Sequence, residues 1–370
     1  MNIKLGDLCK IQAGGTPSRS KQEYWNKGEI PWVKIGDIES KYLNKTSEFI
    51  TDEGLKNSSA KKIEKGSILY TIFATLGEVC INNIDVTTNQ AIAGITLKDD
   101  KVYIDYLYYF LKSLKNYVNA IGRGVAQNNI NLTLLRGFDV PVPDKNRQLI
   151  IAQSLSNIEK MINNKKQQLS EYDQLIKSRF VEMFESFEKT DLSNIAEIIM
   201  GQSPDSAYYN ENGVGLPFFQ GKADFGAKYT NVSYWTTKPS KTAKKGNVLM
   251  SVRAPVGPVN ISSVDCCIGR GLCSINAIPN KTNNEFLYNA LITIQDQITA
   301  MGTGSTFKAI NKSDVYAIKL PLAPISLQNE FANFVEQVDK LKFENELLYC
   351  VNRFTRIKQT KLVCYKGVTL

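Results

Sequence analysis

At 370 residues the chain is too long for one ordinary core and suits two domains of about 100 to 200 residues each. Apolar residues at 43% against 22% charged exclude a disordered chain, so both halves are expected to fold. A formal charge of +9 favours polyanionic partners, and the lack of any histidine removes the usual general base, the Ser-His-Asp and Cys-His nucleophile pairs and the commonest metal ligand.

In chain order, Met1-Asn2-Ile3-Lys4-Leu5 begins without the apolar core of an export signal, and no run of about eighteen uncharged apolar residues follows anywhere. Neither secretion nor a membrane span is expected. A turn at Gly14-Gly15-Thr16-Pro17 precedes Ile30-Pro31, and a β-rich run extends from Ser67 to Phe73. One helical segment, Tyr103 to Tyr117, follows. After Pro143 the texture changes to a stretch without Pro or Gly, Gln148 to Phe184, with Ile151, Leu155, Ile158, Ile162, Leu169, Tyr172 and Ile176 spaced by fours and threes around one polar position. Such a stripe predicts a coiled-coil seam, and about 37 residues at about 1.5 Å each make a rod of roughly 55 Å, longer than a compact domain needs.

The same elements then return. Lys65-Gly66-Ser67-Ile68-Leu69 recurs as Lys245-Gly246-Asn247-Val248-Leu249, a shift of 245 − 65 = 180 residues. That register also pairs Gly77 with Gly257, Asp85 with Asp265, Asn131 with Asn311, Pro141 with Pro321 and Gln148 with Gln328. Upstream a slightly larger shift matches Gly14-Gly15-Thr16-Pro17 to Gly201-Gln202-Ser203-Pro204 and Ile30-Pro31 to Leu216-Pro217. The second copy predicts a β run at Asn247 to Val252, a helix from Asn284 to Thr299 and a second long stripe, Phe331, Val335, Val338, Leu341, Leu348, Val351, Phe354 and Ile357. A period this long is a domain duplication; solenoid repeats run at about 20 to 50 residues.

Catalytic motifs are missing. No phosphate-binding loop of the Gly-x-x-x-x-Gly-Lys-Ser/Thr kind occurs, nor the Asn/Asp-Pro-Pro-aromatic motif with which amino-methyltransferases hold a flipped base, nor a Gly-rich strand-to-helix turn for S-adenosylmethionine. The seven cysteines (Cys9, Cys80, Cys266, Cys267, Cys273, Cys350 and Cys364) are odd in number and scattered, which suits buried thiols in a reducing cytoplasm better than disulfides. The cluster at Cys266, Cys267 and Cys273 lacks the paired spacing of a zinc site. No metal and no cofactor are expected on the chain.

The order of the motifs (Leu5-Gly6-Asp7-Leu8, Gly14-Gly15-Thr16-Pro17-Ser18, Ile30-Pro31-Trp32, Lys65-Gly66-Ser67-Ile68-Leu69, then Pro141-Val142-Pro143 running into Gln148 and a long helix ending Lys177-Ser178-Arg179-Phe180) resembles the type I restriction-modification DNA specificity domain, present twice. The resemblance covers essentially the whole chain. It implies an α+β fold in which two target-recognition domains, 1–146 and 186–325, are related by a pseudo-twofold axis. Two long antiparallel coiled-coil helices, 147–185 and 326–366, are expected to join them. It implies a non-catalytic subunit that reads a bipartite, asymmetric target in double-stranded DNA. It also implies two methyltransferase subunits and further restriction/translocase subunits as partners, with S-adenosylmethionine, ATP and Mg on those partners. Departures are small: Gln202 replaces a second Gly, and Ala323 stands where the first copy has Pro143. Two other readings stay open from the residues, the recognition half of a fused methyltransferase and a coiled-coil scaffold without a DNA role.

Where the copies diverge inside matching loops, base choice can reside. Tyr70 to Gly77, with Thr71 and Thr75, faces Met250 to Gly257, with Ser251 and Arg253; Thr88-Asn89-Gln90 faces Ile268-Gly269-Arg270; and Arg123 to Asn128 faces Thr303 to Lys308, with Thr306. Arg123, Arg253 and Arg270 carry forked donors that suit guanine O6 and N7, whereas Gln90, Gln127 and Asn128 suit adenine N6 and N7. Asn89, Thr71, Thr75, Ser251 and Thr306 are further candidate DNA contacts, and Lys34, Lys41, Lys222, Lys228 and Lys308 are expected at phosphates. The bland alternative for each Lys is a solvated surface charge.

Overall fold

A computed structural model describes residues 1–122, 129–303 and 308–364, the side chains of 347–364 excepted. The chain divides into two compact units, Met1–Lys166 with residues from Leu347 on, and Gln167–Glu346.

In the first unit the central sheet has the order Cys9–Ala13, Ile92–Leu97, Ile68–Thr71, Val79–Asn82, Tyr42–Leu43. The run Ile68-Leu69-Tyr70-Thr71 is apolar at successive positions because both its faces are buried. Alternation sends Ile68 and Tyr70 into one core with Ile11, Ile81 and Phe110, and Leu69 into another with Val33, Cys80 and Ile92. A small second sheet pairs Ile30–Val33 antiparallel with Glu48–Ile50 and parallel with Thr87–Thr88.

The second unit repeats this plan. Its main sheet runs Ala196–Met200, Leu272–Ala277, Val248–Ser251, Val259–Ile261, with an isolated parallel bridge from Tyr229 to Ile261 where the first unit has Tyr42 paired to Ile81. Val248 and Met250 enter the large core with Phe286 and Phe331, while Leu249 packs with Phe219, Cys266 and Ile268.

The helical segments expected as single helices are each two. Ile104–Ser113 and Lys115–Gly122 meet at Leu114, whose amide bonds back to Leu111 and Lys112, and Asn284–Thr293 and Gln295–Met301 meet at Ile294. No Gly or Pro marks either break, so the period continues through it in the sequence.

The long helices span Lys145–Phe184 and Ile325–Cys364. Ala152 and Leu155 pack into the first unit's core. In the second unit the two helices run antiparallel, since Asp173 meets Lys342 and Tyr172 meets Asn345 while Phe180 and Phe184 stack on Phe331 at 5.4 and 5.5 Å. Leu341, expected in the seam, is instead 47% exposed. Each helix is seated by a buried glutamine. Gln148 accepts from the Tyr103 amide (2.9 Å) and donates to the Lys101 and Pro143 carbonyls (3.1 and 2.9 Å). Gln328 accepts from the Thr282 hydroxyl (2.9 Å) and donates to the Lys281 and Ala323 carbonyls (3.0 and 2.8 Å).

Candidate nucleic-acid interface

The first two divergent loops meet the chain at Ile130 and Ile310 at one end of each unit's main sheet, and the same backbone bonds hold them in both. The Gly14 and Gly15 amides donate to Ile92 and Thr88 (3.1 and 2.8 Å), and the Gly201 and Gln202 amides donate to Leu272 and Ile268 (2.9 and 3.0 Å). Glycine is required at the first of each pair, because a Cβ would strike the carbonyl of Asn89 in one unit and of Gly269 in the other. The Ile72 amide donates to Ala91 and that of Ile130 to Ile72 (2.8 and 3.0 Å), matched by Val252 to Gly271 and Ile310 to Val252 (2.9 and 3.0 Å). Strand end, tight turn and returning loop therefore form one frame.

In the second unit this frame opens into a concavity of about 630 Å³ that brings Lys222, Ser251, Arg253 and Arg270 together with Ser203, Gln220 and Tyr209. The three cations are exposed, and among the described residues no carboxylate lines the concavity. Lys308 is also exposed, one residue before the bridge from Ala309 to Arg253. Such a surface presents several donors to a ligand rich in acceptors and phosphate charge.

The first unit presents different groups on the same frame. Gln90 is exposed, and the Thr16 hydroxyl donates to its side-chain oxygen. Asn89 is half-buried and accepts from the Ala91 amide at 3.1 Å, so its side chain caps the turn. Thr75 is exposed at the tip after Ala74, a non-glycine residue at φ 59°. Phe73, bridged to Asn129 as Arg253 is to Ala309, is exposed there too, and sequence reasoning missed it. Its signal was the pairing with Arg253 across the 180-residue shift.

Five of the expected contacts are engaged within the chain itself. Thr71 is fully buried, its hydroxyl donating to the Thr75 carbonyl and accepting from the Glu78 amide, and buried Ser251 donates to the Arg253 carbonyl at 3.0 Å. Both hydroxyls hold the turn. Lys34 pairs with Glu48 at 2.9 Å, and Arg19 takes the other carboxylate oxygen at 2.6 Å while lying over the Trp25 ring at 3.6 Å. Arg19 foremost, with Lys34 adding and burial opposing, holds the Glu48 carboxyl below its ordinary value. Lys228 sits between Glu285 (2.9 Å) and Asp339 (2.6 Å) with its side chain 17% exposed. Burial pulls its ammonium pKa down, and the two carboxylates more than offset this, leaving the net shift upward. Lys41, its counterpart in the repeat, pairs likewise with Asp105 at 2.6 Å. These lysines have carboxylate partners in place of the phosphates expected for them. Arg123, Gln127, Asn128 and Thr306 lie outside the described residues.

The sequence profile of the type I restriction modification DNA specificity domain matches residues 1–171 and again 185–352. The chain belongs to that family. Among relatives of this family member, the putative type I restriction enzyme MjaX specificity subunit of Methanocaldococcus jannaschii is 37% identical over 371 residues, covering 91% of this chain and 86% of that one. The EcoR124I/EcoR124II specificity subunit of Escherichia coli is 26% identical over 166 residues, or 43% and 41% of the two chains. The fold also matches solved structures. A chain of a type I R-M system aligns with a TM-score of 0.64 at 24% identity over 98% of this chain and 95% of that one. The S subunit from M. genitalium aligns at 0.60 and 17% over 100% and 96%. Among the described residues no helix is long and apolar enough to cross a membrane, and no three His, Cys, Asp or Glu side chains are grouped to hold a metal ion.

Proposed function

We propose that the chain is the DNA specificity subunit of a type I restriction-modification complex, each unit reading one half of a bipartite, asymmetric target. The observation that carries the reading is the duplicated loop frame, which offers a concavity with Lys222, Arg253 and Arg270 and no carboxylate among its described lining residues in one unit, and Gln90, Thr75 and Phe73 in the other. Equal frames with unequal head groups suit two different half-sites. As a family member the chain recognises and does not catalyse. Methyl transfer and cleavage fall to methyltransferase subunits, two per complex, and to restriction/translocase subunits, which carry S-adenosylmethionine, ATP and Mg. Recognition is modular on this reading, with domains 1–146 and 186–325 and spacer helices 147–185 and 326–366 as the exchangeable parts.

The test is co-expression with the methyltransferase subunit followed by mapping of methylated bases. The purified chain alone is expected to methylate nothing, and the complex to methylate one bipartite motif. Replacing residues 1–146 with the corresponding part of another family member should change one half-site and leave the other intact. Simultaneous change of both halves would overturn independent reading.

A further inference from the structure

We infer that residues 90 and 270 occupy one and the same base-selecting position, at which Gln90 demands adenine in one half-site and Arg270 demands guanine in the other. The inference rests on the DNA-reading function proposed above and fixes a base at one position of each half.

The equivalence of the two positions comes from the backbone. The amide preceding each one donates to the end of an equivalent strand, Asn89 to Val33 of Ile30–Val33 at 3.0 Å and Gly269 to Phe219 of Leu216–Phe219 at 2.8 Å. Each turn closes identically, the Ile92 amide on the Asn89 carbonyl (3.2 Å) and the Leu272 amide on the Gly269 carbonyl (3.0 Å). The Gly-rich turn abuts both through Gly14 and Gly201. With main-chain bonds and glycine contacts holding the turn on either side, the side chain at 90 or 270 is not needed to build it, and both are exposed.

The chemistry differs at the tip. The Thr16 hydroxyl donates to Gln90 Oε1, which fixes the amide so that Nε2 remains a donor and Oε1 retains a lone pair. A donor beside an acceptor matches the adenine major-groove edge, where N7 accepts and the N6 amino group donates. At the matching place Ser203 Oγ accepts from the Arg270 main-chain amide at 3.2 Å, so the hydroxyl holds the backbone. A guanidinium is all donors, which matches the two acceptors of guanine, O6 and N7, and rejects the adenine amino group. The Arg270 concavity has no carboxylate among its described lining residues to compete for the fork.

The experiment exchanges the head groups in the full complex with the methyltransferase subunit and maps the methylated motif. Gln90→Arg should convert one adenine to guanine in one half-site, and Arg270→Gln should convert one guanine to adenine in the other, each with about a ten- to hundredfold change of preference. Gln90→Ala and Thr16→Val should both relax the same adenine position, because one removes the reader and the other frees its amide. A swap variant that methylates the unchanged motif, or whose altered base lies in the wrong half-site, overturns the inference. If both swaps lose methylation, Gln90→Ala decides, and retention of the wild-type adenine preference overturns it. Loss of methylation by every variant while circular dichroism shows each folded also overturns it, since the position would then serve docking. Absence of any bipartite motif in the wild-type map would instead defeat the DNA-reading function itself.

Discussion

Replacing Lys228 by Met withdraws the cation from between Glu285 and Asp339 and leaves two carboxylates facing an apolar stem. Asp339 lies on the second long helix and Glu285 at the start of the helix Asn284–Thr293, so the pair ties the recognition globule to its helix. Fully exposed pairs contribute about 0–1 kcal/mol and fully buried ones cost about 3–5 kcal/mol to break. With the three side chains 17%, 23% and 30% exposed, the loss should lie between these limits, at about 2 kcal/mol. For a unit of this size that corresponds to a fall of about 4–8 °C in the melting transition, read by calorimetry on the full chain. Adding Glu285→Gln and Asp339→Asn to Lys228→Met removes the stranded charges and should restore most of the loss. The ammonium pKa is raised above its ordinary 10.5, so its contribution is complete below the unfolded pKa and disappears as the pH climbs through the folded one. The gap between wild type and Lys228→Met should therefore close only above pH 10.5. A shift under about 1 °C for the single variant, or a triple variant no more stable than the single, would refute the clamp.

Gln328→Leu strands the carbonyls of Lys281 and Ala323 and should destabilise the second unit by about 3 kcal/mol, measured by urea unfolding, with Gln148→Leu doing the same to the first. Phe184→Ala empties the middle of the ring cluster with Phe180, Phe286 and Phe331, fully buried at 4.9, 4.9 and 5.5 Å, and should cost about 3–5 kcal/mol in the same assay. Burial pushes the Cys9, Cys80 and Cys273 thiols up to about 12 and that of Cys266 to about 11, so a chain with Cys350 and Cys364 changed to Ser should resist a thiol reagent at pH 8 until it is unfolded.

The duplication was legible because turn residues repeat in register: Gly77 and Gly257 both sit at positive φ, 80° and 105°, and the 180-residue shift finds them without any structure. The exposed head groups of the loop frame, Gln90, Arg253 and Arg270, were legible for the same reason, as differences inside a matching frame. The roles of Lys41 and Lys228 were not. Each carboxylate partner lies 57 to 111 residues away for Lys228, and only folding brings Glu285 and Asp339 beside it. A lysine next to a tyrosine in a loop carries no mark that separates a phosphate contact from such a clamp. Thr71 and Ser251 misled differently: a hydroxyl at the end of a strand suits a base edge, but here it closes a turn of its own chain.

The division between frame and head group has an energetic basis. Main-chain bonds, buried hydroxyls, the two glutamines and the lysine clamps satisfy the turn and its seating internally, so exposed positions such as 90 and 270 contribute little to stability. A substitution there leaves the fold nearly unchanged. One at Gly14, Gly201 or Thr71 acts on the fold first, through a clash with a carbonyl or the loss of a turn bond. The two units share their glycine turns, seating glutamines and clamped lysines yet differ at Phe73 and Arg253 and at Gln90 and Arg270. A duplicated scaffold can thus acquire two unlike recognition faces by changes at positions that cost the scaffold almost nothing.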